Sequence, residues 1–233
     1  MKIAIHQPQF LPWLGYLDKI DRADLFVVLD SVQFKKNEWQ NRNRIRTAQG
    51  TQWLTVPVLH NFGQRISDVR INQTTDWRAK HLKSLEMHYA QAAHRDHVMA
   101  GLRAIYQRSW DRLADLNLAV IRWLLGEFGI ATTLRLSSDM PLPDEPTERL
   151  IEICRITGAT SYLAGAGARD YMDFGKFEAA GIPVEVQNFR HPLYRQCYEP
   201  FIHGMSAIDL LLTCGGQSFH SLRRTGAEGP GRG

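Results

Sequence analysis

His6 comes directly after the apolar run Ile3-Ala4-Ile5 and directly before Gln7-Pro8. An imidazole at a strand end, near the backbone N–H groups of a following helix, suits two tasks: neutralising phosphate oxygens and moving a proton near neutral pH. Asp30 ends a second apolar run, Leu25 to Leu29, and is the candidate carboxylate that orients His6 or the ligand. The stretch Lys35 to Arg46 then gathers Lys35, Lys36, Arg42, Arg44 and Arg46, opposed only by Glu38. Asn37, Asn41 and Asn43 interleave with Trp39 in the same stretch. Forked donors, amides and an indole face are the groups that grip a phosphorylated ligand carrying a planar base. Gln7, Lys35, Asn41, Arg42 and Arg44 are therefore candidate phosphate contacts. Two plainer readings stay open: His6 as a residue that holds a turn, and the basic stretch as a solvated surface.

Two further places could line the same cleft. Leu163-Ala164-Gly165-Ala166-Gly167-Ala168 puts small residues between a strand and a helix, so Gly165 and Gly167 allow backbone to approach a ligand. It is not a full G-x-G-x-x-G, because Asp170 stands at the third glycine position, and no Walker lysine follows. Gln187, His191-Pro192, Tyr194 and Gln196 follow the last expected strand and form either part of the site or a connecting loop. Trp77, Lys80, His81 and Lys83 read as a solvated helix face or as added positive charge. His94 and His97 lack carboxylates at ligand spacing, so no metal site is expected. No G-x-S-x-G elbow is present, and no cysteine has a local histidine cue. No residue pattern names a cofactor.

These candidates meet only if the strands before them share one sheet. Lys2 to Ile5 and Leu25 to Leu29 read as strands around a helix from Trp13 to about Asp21, a βαβ unit whose carboxyl edge carries His6 and Asp30. Gln33 to Thr47 reads as a polar loop and Trp53 to Leu59 as a strand broken at Pro57. The spacing turns helical from Asp76 to Phe128 and stops at Gly129. Two βαβ units then close the chain through strands at Thr132 to Leu136, Thr160 to Leu163 and Ile182 to Val186, with helix stops at Gly158 and Gly181. The expected fold is α/β and Rossmann-like, a mostly parallel sheet in one domain over residues 1–214 with a helical insertion at about 76–128. The glycine-rich stretch 215–233 is expected to be disordered.

Composition agrees with an ordinary globular chain: 233 residues, 44% hydrophobic and 22% charged, with a net charge of +4. Collagen, coiled coil and wholesale disorder are excluded. The mild positive charge allows an anionic partner without selecting nucleic acid. Cys154, Cys197 and Cys214 form neither a disulfide framework nor a zinc spacing, and no run approaches a membrane span, so a cytoplasmic protein is expected.

The assembled residues resemble the WbqC-like protein family. The likeness runs through His6-Gln7-Pro8-Gln9-Phe10-Leu11-Pro12-Trp13-Leu14-Gly15-Tyr16, the Asp30 to Arg44 stretch, Leu54 to Val58, Ser137-Ser138, Glu148-Arg149-Leu150, Tyr162 to Tyr171, Gln187, His191-Pro192, Tyr194-Arg195-Gln196 and Ser206 to Leu211. Ala164 and Ala166 depart from it, standing where the family pattern more often has Ser and Pro. The resemblance implies a role in O-antigen or other surface-polysaccharide assembly, as a transferase placing an acyl or aminoacyl group, such as glycyl, on an amino sugar. A nucleotide-sugar or similar phosphorylated molecule is the expected partner, with His6 and Asp30 as catalytic residues. The order strand, His-containing turn, helix, strand, basic stretch also fits nucleotidylyl transfer, although the second His of that superfamily's His-x-x-His is absent. A module that binds a nucleotide-sugar or RNA without catalysis is the third reading.

Overall fold

The structure is a computed structural model that describes residues 1–227, with side chains through residue 222. In chain order its elements are β1 (Lys2–His6), α1 (Leu14–Asp21), β2 (Leu25–Val28), β3 (Arg42–Thr47), β4 (Gly50–Thr55), β5 (Val58–Leu59) and β6 (Arg70–Ile71). Then come α2 (Trp77–His88), α3 (Arg95–Tyr106), α4 (Leu113–Glu127), β7 (Thr133–Leu136) and α5 (Pro146–Thr157). The chain continues through β8 (Ser161–Ala164), α6 (Phe174–Ala179), β9 (Val184–Val186), α7 (Ala207–Cys214) and α8 (Ser218–Ala227). Its internal contacts fall into two units.

The first unit comprises Met1–Pro8, Tyr16–Val32 and Ala131–Phe189. Its sheet has the order β7-β2-β1-β8-β9, every neighbouring pair parallel. This is the α/β, Rossmann-like arrangement. Alternation along β1 explains the packing: Ile3 and Ile5 join Leu25, Val27, Ile153, Tyr162 and Phe177 in one core. Phe26 meets Tyr16 of α1, ring centroids 5.4 Å apart. Parallel strands covered on both faces need such continuous apolar runs. Gly158 ends α5 with φ +67°, the left-handed conformation that glycine adopts without steric cost. The chain leaves β1 toward β2 and β7, then returns to place β8 on β1's other side, so a topological switch point lies between the carboxyl ends of β1 and β8.

The second unit comprises Gln9–Gly15, Gln33–Ile130 and Arg190–Gly233. Helices α2, α3 and α4 occupy the stretch expected to be helical, but His81 is not on a solvated face. It is 4% exposed, its Nδ1 3.1 Å from the Tyr106 hydroxyl and its Nε2 3.1 Å from the Thr55 carbonyl. The polar loop expected over Gln33 to Thr47 is corrected at its end, where β3 pairs antiparallel with β4, Arg44 opposite Trp53. Hydrophobic alternation missed it because amides and guanidinium groups fill inward positions there. Asn43 is fully buried, and its Nδ2 donates to the Leu11 carbonyl (2.7 Å) and the Phe10 carbonyl (3.3 Å), which holds Leu11 at φ +44°. Gly15 has a local reason too: a Cβ there would lie 2.3 Å from the Trp13 ring.

The stretch expected to be disordered also differs. Helix α8 begins at Ser218, and Phe219 is 2% exposed with its ring 5.2 Å from that of Phe128. His220 adds a second tie, its Nε2 2.9 Å from the Phe128 carbonyl. Residues 228–233 lie outside the described residues.

Candidate functional site

At the switch point of the first unit, half-buried His6 ends β1. Its Nδ1 lies 3.1 Å from the Gln7 carbonyl, which can only accept, so Nδ1 carries the proton and the lone pair is on Nε2. Burial, reinforced by the positive charge of Lys19 and opposed by that carbonyl bond, lowers the His6 pKa to about 4. At neutral pH the ring is an uncharged acceptor, packed edge-on against Tyr16 at 5.2 Å.

Lys19 comes from α1 and is 3% exposed. Its Nζ donates to the Ile5 carbonyl at 2.8 Å and lies 5.9 Å from the Tyr162 ring centre on β8. Burial lowers its pKa to about 7. A Cβ added at Gly165, just past β8, would sit 3.7 Å from the same Nζ. The periodicity that assigns Tyr16, Leu17 and Ile20 to the inward face leaves a lysine reading as solvated. The signal was its position three residues after Tyr16, on the flank of that face.

Other expected residues of this unit have structural duties. Asp30 is 3% exposed, and among the described residues no hydrogen bond joins it to His6. Its Oδ1 accepts from the Ser137 hydroxyl (3.0 Å) and the Ser138 N–H (2.9 Å), and its Oδ2 from the Ser138 hydroxyl (2.8 Å). It thereby ties the end of β2 to the turn after β7. Gln187 donates from Nε2 to Asp18 at 2.7 Å and from its backbone N–H to the Ala164 carbonyl. Where a strand was expected to lead into a regular helix, Gly165 instead precedes a 3-10 turn, Ala166–Asp170, which contains the exposed Gly167.

In the second unit the basic stretch splits by role. Arg42 and Arg44 are half-buried; the Arg42 guanidinium lies 4.1 Å and that of Arg44 5.6 Å from the centre of Trp53, which is 41% exposed. Trp39 packs 5.5 Å from Trp53 and adds a second ring under Arg44. Among the described residues neither arginine has a carboxylate at ion-pair distance, and the Nε of each is buried without a hydrogen-bond partner. Two forked cations over an exposed indole can bind a phosphoryl group beside a stacked planar ring.

Arg46 is different. It is 1% exposed and donates to the carbonyls of Thr47, Gly50 (2.8 Å) and Pro200 (2.9 Å), within the electrostatic reach of Asp209. Asp209, fully buried, accepts from the Tyr89 and Tyr194 hydroxyls and from Gln196. Burial raises its pKa even so. Asn41 likewise is interior: it donates to the Val56 carbonyl at 3.0 Å and accepts from the Asn37 N–H. Lys35 is exposed. His191 bonds through Nδ1 to the Pro192 carbonyl at 2.9 Å and packs among Tyr194, Phe201 and His203, a connecting loop built of rings.

Among the described residues no three His, Cys, Asp or Glu side chains converge as metal ligands, and no helix is long and apolar enough to cross a membrane. The model of the WbqC-like protein family matches residues 7–221. The chain belongs to the WbqC-like family. An uncharacterized protein of Mycobacterium tuberculosis is 37% identical over 228 residues, spanning 95% of this chain and 97% of its own length. No solved structure matches. The WbqC-like family is associated with polysaccharide biosynthesis, and its match covers the switch-point helix, the Arg42-Arg44 face and the Asp209 network alike.

Proposed function

We propose that this protein is a transferase of surface-polysaccharide assembly that moves an acyl or aminoacyl group, such as glycyl, onto the amine of an amino sugar. The observation that carries this reading is His6: an uncharged imidazole whose tautomer leaves Nε2 as acceptor, standing where open α/β sheets bind ligands. The acceptor amine attacks the activated carbonyl, the C–N bond forms, and the leaving group departs with its electron pair. The nitrogen sheds a proton, which His6 Nε2 receives. An amine that has attacked a carbonyl is far more acidic than the free amine, so a weak base suffices for this transfer. In the second unit, the Arg42-Arg44 face over Trp53 is suited in its own right to a phosphoryl group beside a planar ring, as a nucleotide-sugar carries. The three free thiols fit a reducing cytoplasm.

The test follows product formation from activated glycine and an amino-sugar acceptor, for the parent and His6→Gln. The variant should fold, keep ligand affinity and lose about 10²–10⁴-fold in turnover, the usual contribution of a positioned acid or base. Equal turnover removes His6 from the chemistry. Release of pyrophosphate from a nucleoside triphosphate by the parent, with no glycyl product, replaces this reading with nucleotidylyl transfer.

A further inference from the structure

Lys19 is a buried ammonium with few partners. It is 3% exposed, its Nζ donates to the Ile5 carbonyl, and the face of Tyr162 lies 5.9 Å away. An ammonium has three donors, and burying one without a counter-ion costs more than a carbonyl and a ring face return. Among the described residues no carboxylate lies within ion-pair distance of Nζ, and no acidic group raises its pKa. The position is also specific. Nζ reaches from α1 to the end of β1, and the turn after β8 passes it with Gly165, where a Cβ would stand 3.7 Å from Nζ. Gly165 has φ −71°, which any residue adopts, so no backbone strain requires glycine there and its effect is the space it leaves.

We propose that Lys19 is an anion-binding residue: a phosphoryl or carboxylate oxygen enters at the switch point between β1 and β8, occupies the space beside Gly165 and accepts from Nζ. The anion site adjoins His6 but rests neither on glycyl transfer nor on the Arg42-Arg44 face. Burial without a counter-ion lowers the Lys19 pKa to about 7, and a bound anion would supply the missing counter-charge. The titratable groups set against it are His6 from β1, held neutral by burial, and Tyr162 from β8, whose phenol burial pushes well above its ordinary range. Neither changes charge between pH 7 and 8. Anion binding therefore draws a proton onto Lys19 and onto no other of these groups.

The experiment is calorimetric titration of the full chain with inorganic phosphate, and separately acetate, at pH 7.5 in two buffers of different ionisation enthalpy. The expected result is binding of at least one anion with net proton uptake. Lys19→Met should fold, lose about tenfold or more in affinity and take up no proton. Gly165→Ala makes only an ordinary contact with Nζ, so it should fold yet weaken binding by filling the space. Arg44→Ala should keep the proton-linked binding, which separates this site from the phosphoryl contacts of the second unit. The tighter anion names the ligand group. Failure of the parent to bind either anion overturns the proposal, as does Lys19→Met binding with the parent's affinity and proton uptake.

Discussion

Arg44 and Arg46 lie two residues apart on β3, identical in chemistry, and should respond oppositely to the same substitution. Arg46→Ala leaves the Thr47, Gly50 and Pro200 carbonyls without their donor and removes the cation that favours ionised Asp209. Removing one partner from a buried charge arrangement costs about 3–5 kcal/mol. For a chain of this size about 1 kcal/mol shifts Tm by roughly 2–4 °C, so Arg46→Ala should lower Tm by roughly 6–20 °C. Arg44→Ala removes a half-buried guanidinium whose visible partners are the Trp39 and Trp53 rings, worth about 0.5–1 kcal/mol, and should move Tm by only a few degrees. Its effect belongs to binding. A hydrogen bond to a charged group is worth about 1.5–3 kcal/mol, so affinity for a nucleoside diphosphate sugar should fall roughly tenfold to a hundredfold.

Thermal unfolding and calorimetric titration of the two variants beside the parent give the answer. Arg46→Lys serves as control, because it keeps a charge near Asp209 but cannot fork across three carbonyls, and should fall between parent and Arg46→Ala. If Arg44→Ala melts as low as Arg46→Ala, both arginines are structural and the ligand face is lost. If Arg44→Ala binds the nucleotide-sugar as the parent does, the unpaired guanidinium is surface and nothing more.

Two further outcomes follow from buried groups. His81 is lowered from its ordinary value of 6.5 to about 4, first by burial, so between pH about 4 and 6.5 the unfolded chain binds a proton that the folded chain refuses; stability therefore rises with pH across that window, by up to about 3 kcal/mol from this residue. Urea midpoints at pH 5 and 7 should differ less for His81→Phe than for the parent, and equal differences would refute the assignment. Phe219→Ala should cost about 3–5 kcal/mol because the ring is buried against Phe128, and a chain ending at Cys214 should melt lower still; an unchanged Tm would show that α8 does not dock.

The sheet was legible because its strands are short apolar runs closed by chemically distinct residues: Ile3 to Ile5 before His6, Leu25 to Val28 before Asp30, and helix stops at Gly158 and Gly181. The basic stretch was legible as a phosphate-binding composition but not as a strand. Its inward positions are closed by hydrogen bonds, Asn43 to the Phe10-Leu11 turn and Arg46 to three carbonyls, which leaves no hydrophobic alternation to read. Asp30 was ambiguous for a related reason. A carboxylate at a strand end looks the same in sequence whether it faces a ligand or caps a neighbouring turn, and only the partners Ser137 and Ser138, more than a hundred residues on, distinguish the two.

The two buried cations, Arg46 and Lys19, give the structure its own standard for what a satisfied charge looks like. Both are at most 3% exposed. Arg46 spends its forked donors on three carbonyls and has a carboxylate in reach, and its removal should therefore register as lost stability. Lys19 has one carbonyl at hydrogen-bond distance, stands beside a neutral imidazole, and faces a glycine that leaves its approach open. Burial alone cannot account for both. A cation kept for the fold should raise stability by its presence, whereas one kept for a ligand should lower it until the ligand arrives. With no anion added, Lys19 should accordingly contribute a rise in the parent's stability as pH climbs from about 7 to about 10.5, where the unfolded chain still carries a proton that folded Lys19 has released, set against the opposite contribution of the buried Cys154 thiol and tyrosine phenols. Lys19→Met should flatten that rise, and an equal rise in the variant would place Lys19 with Arg46 among the structural charges.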